Sequence, residues 1–136
     1  MTSTEALNSN ELETLLESEA DIVFLESLTL NDNSAVLPLE ESEESITELI
    51  DQFSSSLPDA EIILFPSNPL LNPRFYLTQI DELSEYAEDL SVHYADHWEA
   101  WPDVTDPEIE EYATSGIPTE QGHEILADYM MQFLNE

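Results

Sequence analysis

The sequence contains no lysine and a single arginine, Arg74, among its 136 residues. Against that one cation stand 32 aspartate and glutamate residues, so the formal net charge is −31 at pH 7. Direct binding of nucleic acid needs lysine and arginine to neutralise phosphates, and adhesion to an anionic membrane needs the same residues. The composition therefore excludes both.

Cysteine is also absent. The chain accordingly has no disulfide, no thiolate nucleophile and no cysteine-ligated zinc. No apolar run approaches the ~20 residues of a transmembrane helix, and the first residues lack the basic and apolar regions of a secretory signal. We expect a cytoplasmic protein.

High net charge combined with low hydrophobicity is typical of disordered chains. In this chain, however, 41% of the residues are hydrophobic and 9% are aromatic, which favours a packed core. The apolar residues also recur at regular spacings. We predict a flexible N-terminus over residues 1–8, followed by a single acidic globular domain over residues 9–136.

Apolar spacing and capping residues predict the elements of this domain. The predicted helices cover 9–20, 43–56, 79–101, 107–114 and 120–134, and the predicted strands cover 22–25, 28–30 and 61–65, with 35–37 as a possible hairpin return. This order predicts an α+β fold with a small antiparallel or mixed sheet of about three strands packed by four to five helices. An all-α bundle is the alternative, because short apolar runs are ambiguous.

Three groups of carboxylates are candidate binding surfaces. The 81–99 surface, placed on one face of the predicted 79–101 helix, comprises Asp81, Glu82, Glu85, Glu88, Asp89, Asp96 and Glu99. The 40–51 surface comprises Glu40, Glu41, Glu43, Glu44, Glu48 and Asp51. The 103–111 surface comprises Asp103, Asp106, Glu108, Glu110 and Glu111. Like charges three or four residues apart on a helix each cost a few tenths of a kcal/mol, so a protein that keeps this repulsion is expected to use it.

In its small size, its near-absence of basic residues and the segregation of acids from apolar faces, the whole chain resembles the DNA-mimic inhibitors. These include phage anti-restriction proteins, nuclease inhibitors and some anti-CRISPR proteins. The resemblance implies that the carboxylates of the three surfaces imitate phosphates. It also implies a basic DNA-binding partner: a nuclease, a restriction enzyme or CRISPR effector, a nucleoid protein or a repressor. A homodimer is left open, because it would lengthen the charged track.

Three alternatives account for the same composition. An acidic immunity or antitoxin-like protein would cap one basic toxin or nuclease through specific contacts. An acidic chaperone would bind many basic proteins with little selectivity. Adaptation to molar salt would also explain the acidity, although glutamate outnumbers aspartate 22 to 10 and a single arginine remains.

Other chemistry has little support in the sequence. His93 and His97 are four residues apart and on a helix could share a metal, but no third ligand is evident. No glycine-rich phosphate loop or nucleophile motif occurs. We therefore expect no metal, no cofactor and no enzymatic activity, and we expect Arg74 to form a structural ion pair with an acidic helix.

Overall fold

A computed structural model describes all 136 residues of the chain. Its first half contains α1 (Ser3–Leu7), α2 (Asn10–Leu16), β1 (Ile22–Glu26), α3 (Thr29–Ser34), α4 (Leu39–Ser56) and β2 (Glu61–Phe65). Its second half contains α5 (Phe75–Ala87), β3 (His93–Tyr94), two 3-10 helices (His97–Ala100 and Pro107–Glu111), β4 (Ala113–Thr114), β5 (Ile117–Pro118) and α6 (Glu120–Leu134). No helix combines the length and the apolar character needed to cross a membrane.

The main sheet has three strands in the order β1-β2-β3, and both pairings are parallel. The α+β class is thus confirmed, but the expected antiparallel or mixed sheet is wrong. Parallel neighbours need a crossover connection, and the chain supplies one through α4 and another through α5. The antiparallel pairing in the molecule is the separate β4–β5 hairpin.

The core lies between the sheet and the helices that precede and follow β2. Ile62 and Leu64 on one face of β2 join a buried cluster with Ile46, Leu49 and Phe53 of α4. Leu83 and Ala87 of α5 complete the cluster from the next crossover. Ile63 faces the opposite side of the sheet and is also buried, so the central strand is enclosed on both faces, as its continuous apolar run indicates.

The N-terminal residues form a helix that is attached to the rest of the chain. Thr2 and Glu5 make a reciprocal capping box at the start of α1. Buried Ser3 donates from its amide and from its hydroxyl to the carboxylate of Asp32, at 2.7 and 2.5 Å. The prediction of a flexible segment over residues 1–8 did not anticipate this helix.

Asp32 explains why the predicted strand at 28–30 and its hairpin return at 35–37 are wrong. Its carboxylate is fully buried and also accepts a hydrogen bond from Ser42 of α4. The helical turn of α3 carries Asp32 inward to both serines. Since a buried carboxylate without such donors is very costly, these contacts outweigh the strand preference of the flanking apolar residues.

The predicted 79–101 helix is wrong beyond Ala87, where α5 ends. Leu90, Val92 and Tyr94 pack against the core at a spacing of two residues. The backbone of His93 and Tyr94 pairs with β2 and fills the edge opposite β1. Edge pairing with β2 therefore outweighs the helical periodicity.

Other predictions from local patterns are confirmed. The α4, β2 and α6 segments lie where apolar spacing places them, although α4 begins at Leu39. The sequence also offers capping residues for these helices: Ser9 or Asn10, Ser42, Thr78, Asp106 and Thr119. Ser9, Asp106 and Thr119 each cap the following helix through a side-chain oxygen. Ser42 and Thr78 do not, because α4 begins after Pro38 and α5 begins after Arg74. The predicted 107–114 helix is a 3-10 helix that ends at Glu111.

Val36 occupies a strained position after α3. Its φ is 57°, in the left-handed region that a β-branched residue rarely adopts, and its side chain is 86% exposed. The amide groups of Val36 and Leu37 bond back to Asn33 and Asp32, as they do at a helix end that usually carries glycine.

We expect Val36→Gly to raise the free energy of unfolding by about 1 kcal/mol, because glycine adopts this conformation without strain. Chemical denaturation followed by circular dichroism measures the change. The control is Ala35→Gly at the preceding residue, whose φ is −85° and which should lose stability instead. Equal effects of the two substitutions would contradict the assignment of strain to Val36.

Candidate acidic interface

The 40–51 surface is a continuous acidic face on α4. The helix buries Ser42, Ser45, Ile46, Leu49, Ile50 and Phe53, which fixes the opposite side toward solvent. Five of the six predicted carboxylates on it are exposed, and Glu43 is half-buried. The apolar periodicity of the segment thus both forms the helix and positions the acids.

The spacing of these carboxylates along α4 is close to that of DNA phosphates. From Glu40 to Asp51 the helix rises about 16 Å at about 1.5 Å per residue, so the five intervals between its six acids have a mean rise of about 3.3 Å. One strand of B-form DNA carries about one phosphate per 3.4 Å. The charge density along the helix axis therefore matches that of a single DNA strand.

The α5 helix adds one carboxylate, that of Glu82, beside this row. Burial raises the pKa of the Glu43 carboxyl, and the nearby negative charges of Glu82 and Glu40 raise it further. A shallow groove lies over this face of α4, lined by Glu40, Glu43, Glu44, Thr47, Glu48, Asp51 and Tyr86. The structure thus brings Glu82 of the 81–99 surface to the 40–51 surface.

The rest of the 81–99 surface is divided among several elements. Asp81, Glu82 and Glu85 lie on α5, and Glu88 is its C-terminal cap. Asp89 follows in a turn, Asp96 precedes the first 3-10 helix and Glu99 lies within it. These seven carboxylates do not share one helix face, because the predicted helix ends at Ala87.

The 103–111 surface consists of a loop and the second 3-10 helix. Its five carboxylates are exposed. Asp103 accepts hydrogen bonds from the amide and hydroxyl of Thr105, which lower the pKa of its carboxyl. Asp106 accepts from the amide of Glu108 and so begins the 3-10 helix.

Cations compensate almost none of this charge. Arg74 is exposed and makes no ion pair, so its predicted pairing with an acidic helix is wrong. The one contact at ion-pair distance joins His93 Nε2 to Glu61 Oε2 at 3.9 Å, between two side chains that are more than half exposed, and it involves a cation only when the histidine is protonated. The carboxylates of α4 and α5 therefore face solvent without positive neighbours.

The histidine pair is divided between surface and core. His93 lies exposed on β3, whereas His97 is fully buried and contacts the rings of Phe65, Trp101 and Tyr129. The His97 Nδ1 atom accepts a 3.0 Å bond from Trp101, so its Nε2 carries the proton and donates to the Pro66 carbonyl at 2.7 Å. No group of three or more metal-ligating side chains occurs in the structure.

Comparison of the sequence with models of known protein families and with curated proteins found no match.

We expect His97 to remain neutral at pH values where a free imidazole is protonated. Burial lowers its pKa from the ordinary value of 6.5, against the opposing effects of the Pro66 carbonyl and Asp96. Its contribution to stability is therefore present above pH 6.5 and is lost as the pH falls through the lowered value. Nitrogen-15 shifts of the ring measured between pH about 7.5 and 5 test this. Protonation of His97 at or above its ordinary value would contradict it.

We expect Glu43→Gln to stabilise the fold at neutral pH. Because the folded-state pKa of Glu43 is raised, its charged form is disfavoured above the ordinary value of 4.5, and the neutral amide removes that penalty. The gain in melting temperature should shrink as the pH falls through the raised pKa of Glu43, because the native carboxyl becomes protonated there, and it should be lost below the ordinary value of 4.5. Added salt should reduce the gain at pH 7.

Glu5→Gln is the control, because it should change the stability of the fold in the opposite direction. The backbone hydrogen bond at Thr2 lowers the pKa of Glu5, so this substitution should destabilise at neutral pH. If both substitutions raised the melting temperature equally, the gain would come from the lower net charge alone and not from the surroundings of Glu43.

Proposed function

We propose that this protein is a non-enzymatic DNA mimic that occupies the basic cleft of a DNA-binding protein and excludes DNA from it. The observation that carries the proposal is the carboxylate row of α4, which lies beside Glu82 and has the linear charge density of a DNA strand. Opposite fields steer such a partner toward this face and make association fast.

The rigidity of the α4 row supports mimicry over a generally acidic surface. The inward residues of α4 belong to the main buried cluster, so the helix does not need its partner to become ordered. A packed helix fixes the Cα positions of its acidic residues before binding, which reduces the backbone entropy lost on association.

The remaining surfaces have secondary parts in this proposal. Asp81 and Glu85 lie on α5, the helix that also carries Glu82, and both are exposed. The 103–111 surface is a second exposed anionic segment. A partner with a large DNA-binding cleft would contact it, and a partner with a small cleft would leave it free. The partner class remains a nuclease, a restriction or CRISPR effector, a nucleoid protein or a repressor.

An immunity-type inhibitor of one basic toxin is the alternative that the experiments must separate. Such an inhibitor depends on a few central residues and tolerates changes elsewhere. A mimic depends on the field of many carboxylates, so its affinity should fall gradually as acids are removed and steeply as salt is added.

We expect unrelated duplex DNA to displace this protein from its partner. The partner is first captured from a lysate of the native host and eluted by salt, and each purified candidate is then titrated in the presence of duplex. Affinity should fall by at least about a hundredfold between about 50 and 500 mM salt. A salt-independent affinity, or a partner that duplex DNA fails to displace, would contradict mimicry.

A matched pair of variants tests the α4 row itself. One variant carries Glu40→Gln, Glu44→Gln, Glu48→Gln and Asp51→Asn, and the control carries Glu11→Gln, Glu13→Gln, Glu120→Gln and Glu124→Gln. All eight side chains are exposed and both variants lose four negative charges. We expect about a hundredfold weaker binding for the α4 variant and less than about fivefold for the control. Equal losses would show that net charge, and not this row, is recognised.

A further inference from the structure

Strand β1 has a free edge, because β2 is its one neighbour in the sheet. The Glu61 amide donates to the Asp21 carbonyl at one end of the pairing, and the Ser27 amide donates to the Phe65 carbonyl at the other, both at 2.9 Å. In a parallel pair, alternate residues of a strand bond to the neighbour. Asp21, Val23, Leu25 and Ser27 therefore bond to β2.

The residues between them direct their backbone groups away from β2. The amide and carbonyl groups of Ile22, Phe24 and Glu26 make no hydrogen bond to any element outside the sheet. They form an unpaired row of donors and acceptors along five residues of extended chain. Such a row accepts another strand.

Two exposed apolar side chains lie along this free edge. Ile22 is 41% exposed and Phe24 is 47% exposed, whereas Val23 and Leu25 pack against the core from the other face. Phe24 pairs in register with buried Ile63, which also borders Phe133 and Leu134 of α6. An added strand would thus gain apolar contacts at alternate positions as well as backbone hydrogen bonds.

Three common protections of an edge strand, namely lysine, proline and a bulge, are missing from β1. Natural edge strands commonly carry lysine, proline or a bulge that prevents further pairing. The segment Ile22–Glu26 has no proline, the chain has no lysine, and the pairing with β2 runs without a bulge through all five residues.

The charges around the edge select among possible occupants. Asp21 stands before the strand, Glu26 ends it, and Glu61 lies beside Ile22 on β2. A second copy of this chain would bring the same carboxylates against these three. A strand with lysine or arginine at its ends would instead place opposite charges there.

We propose that the free edge of β1 docks an extended segment of a cationic partner by strand addition. The segment has apolar residues at alternate positions, which lie over Ile22 and Phe24, and basic residues at its ends, which meet Asp21 and Glu26. This site is distinct from the carboxylate row of α4 and does not depend on DNA mimicry.

A designed peptide tests the proposal without knowledge of the natural partner. The probe is the acetylated and amidated heptapeptide Lys-Val-Thr-Val-Thr-Val-Lys, added to the full chain at about 50 mM salt and followed by NMR. We expect the amides of Ile22, Phe24 and Glu26 to exchange with solvent about tenfold more slowly in the complex. The amides of Val23 and Leu25, already bonded to β2, should change little.

Two control peptides separate strand addition from attraction to a negative protein. Glutamate at both ends should abolish the protection through repulsion, and proline in place of the central valine should abolish it through loss of a donor. Equal protection by the glutamate peptide would overturn the charge assignment. Absence of the alternating protection with the lysine peptide would overturn the proposal.

Protein variants provide the remaining controls. Phe24→Ala should weaken peptide binding about tenfold, whereas Phe75→Ala, which removes another exposed phenylalanine at the start of α5, should not. The fourfold α4 variant should keep the alternating protection, so failure of strand addition and failure of the DNA-mimic proposal give different results. A sedimentation-detected dimer that Phe24→Ala dissociates would assign the edge to a second copy and overturn the proposal.

Discussion

Electrostatic repulsion is the constraint that the rest of this structure must satisfy. Of the 32 acidic side chains, nearly all lie at the surface, and one exposed arginine and a surface histidine contact provide almost no compensation. A core built around β2 offsets this repulsion, and Ile62, Ile63 and Leu64 of that strand are buried in it. The helices that carry the densest acidic face also contribute the largest part of that core, so apolar burial and charge display depend on the same elements.

Asp32 shows how the one buried carboxylate is accommodated without a cation. Three hydrogen bonds from Ser3 and Ser42 satisfy its oxygens, so donors replace the positive partner that the composition lacks. These bonds join α1, α3 and α4, which places the N-terminal helix against the helix that bears the acidic row. Charge-assisted hydrogen bonds of this kind are stronger than neutral ones. They stabilise the buried Asp32 where a chain of ordinary composition would be expected to use a salt bridge.

Local patterns predicted part of this arrangement. The apolar spacing of α4 placed both its buried residues and its carboxylates, and capping residues placed the starts of α2 and α6. Parallel pairing, the end of α5 at Ala87 and the helical turn around Asp32 depend on partners distant in sequence, which periodicity does not report. The same limit applies to the site: the α4 row was predictable, but its approach to Glu82 and the free edge of β1 follow from the crossovers and the strand order.

The carboxylate row of α4 and the free edge of β1 share one compositional cause. A chain without lysine has no cations to interrupt its acidic helix faces, and it also has none with which to guard an edge strand. Carboxylates can guard that edge only against other anionic strands, including a second copy of the chain, and they attract cationic ones. An uninterrupted negative surface therefore leaves an edge strand without cations, and under our proposal a partner drawn to the protein by long-range attraction would gain a directional, short-range contact at that edge.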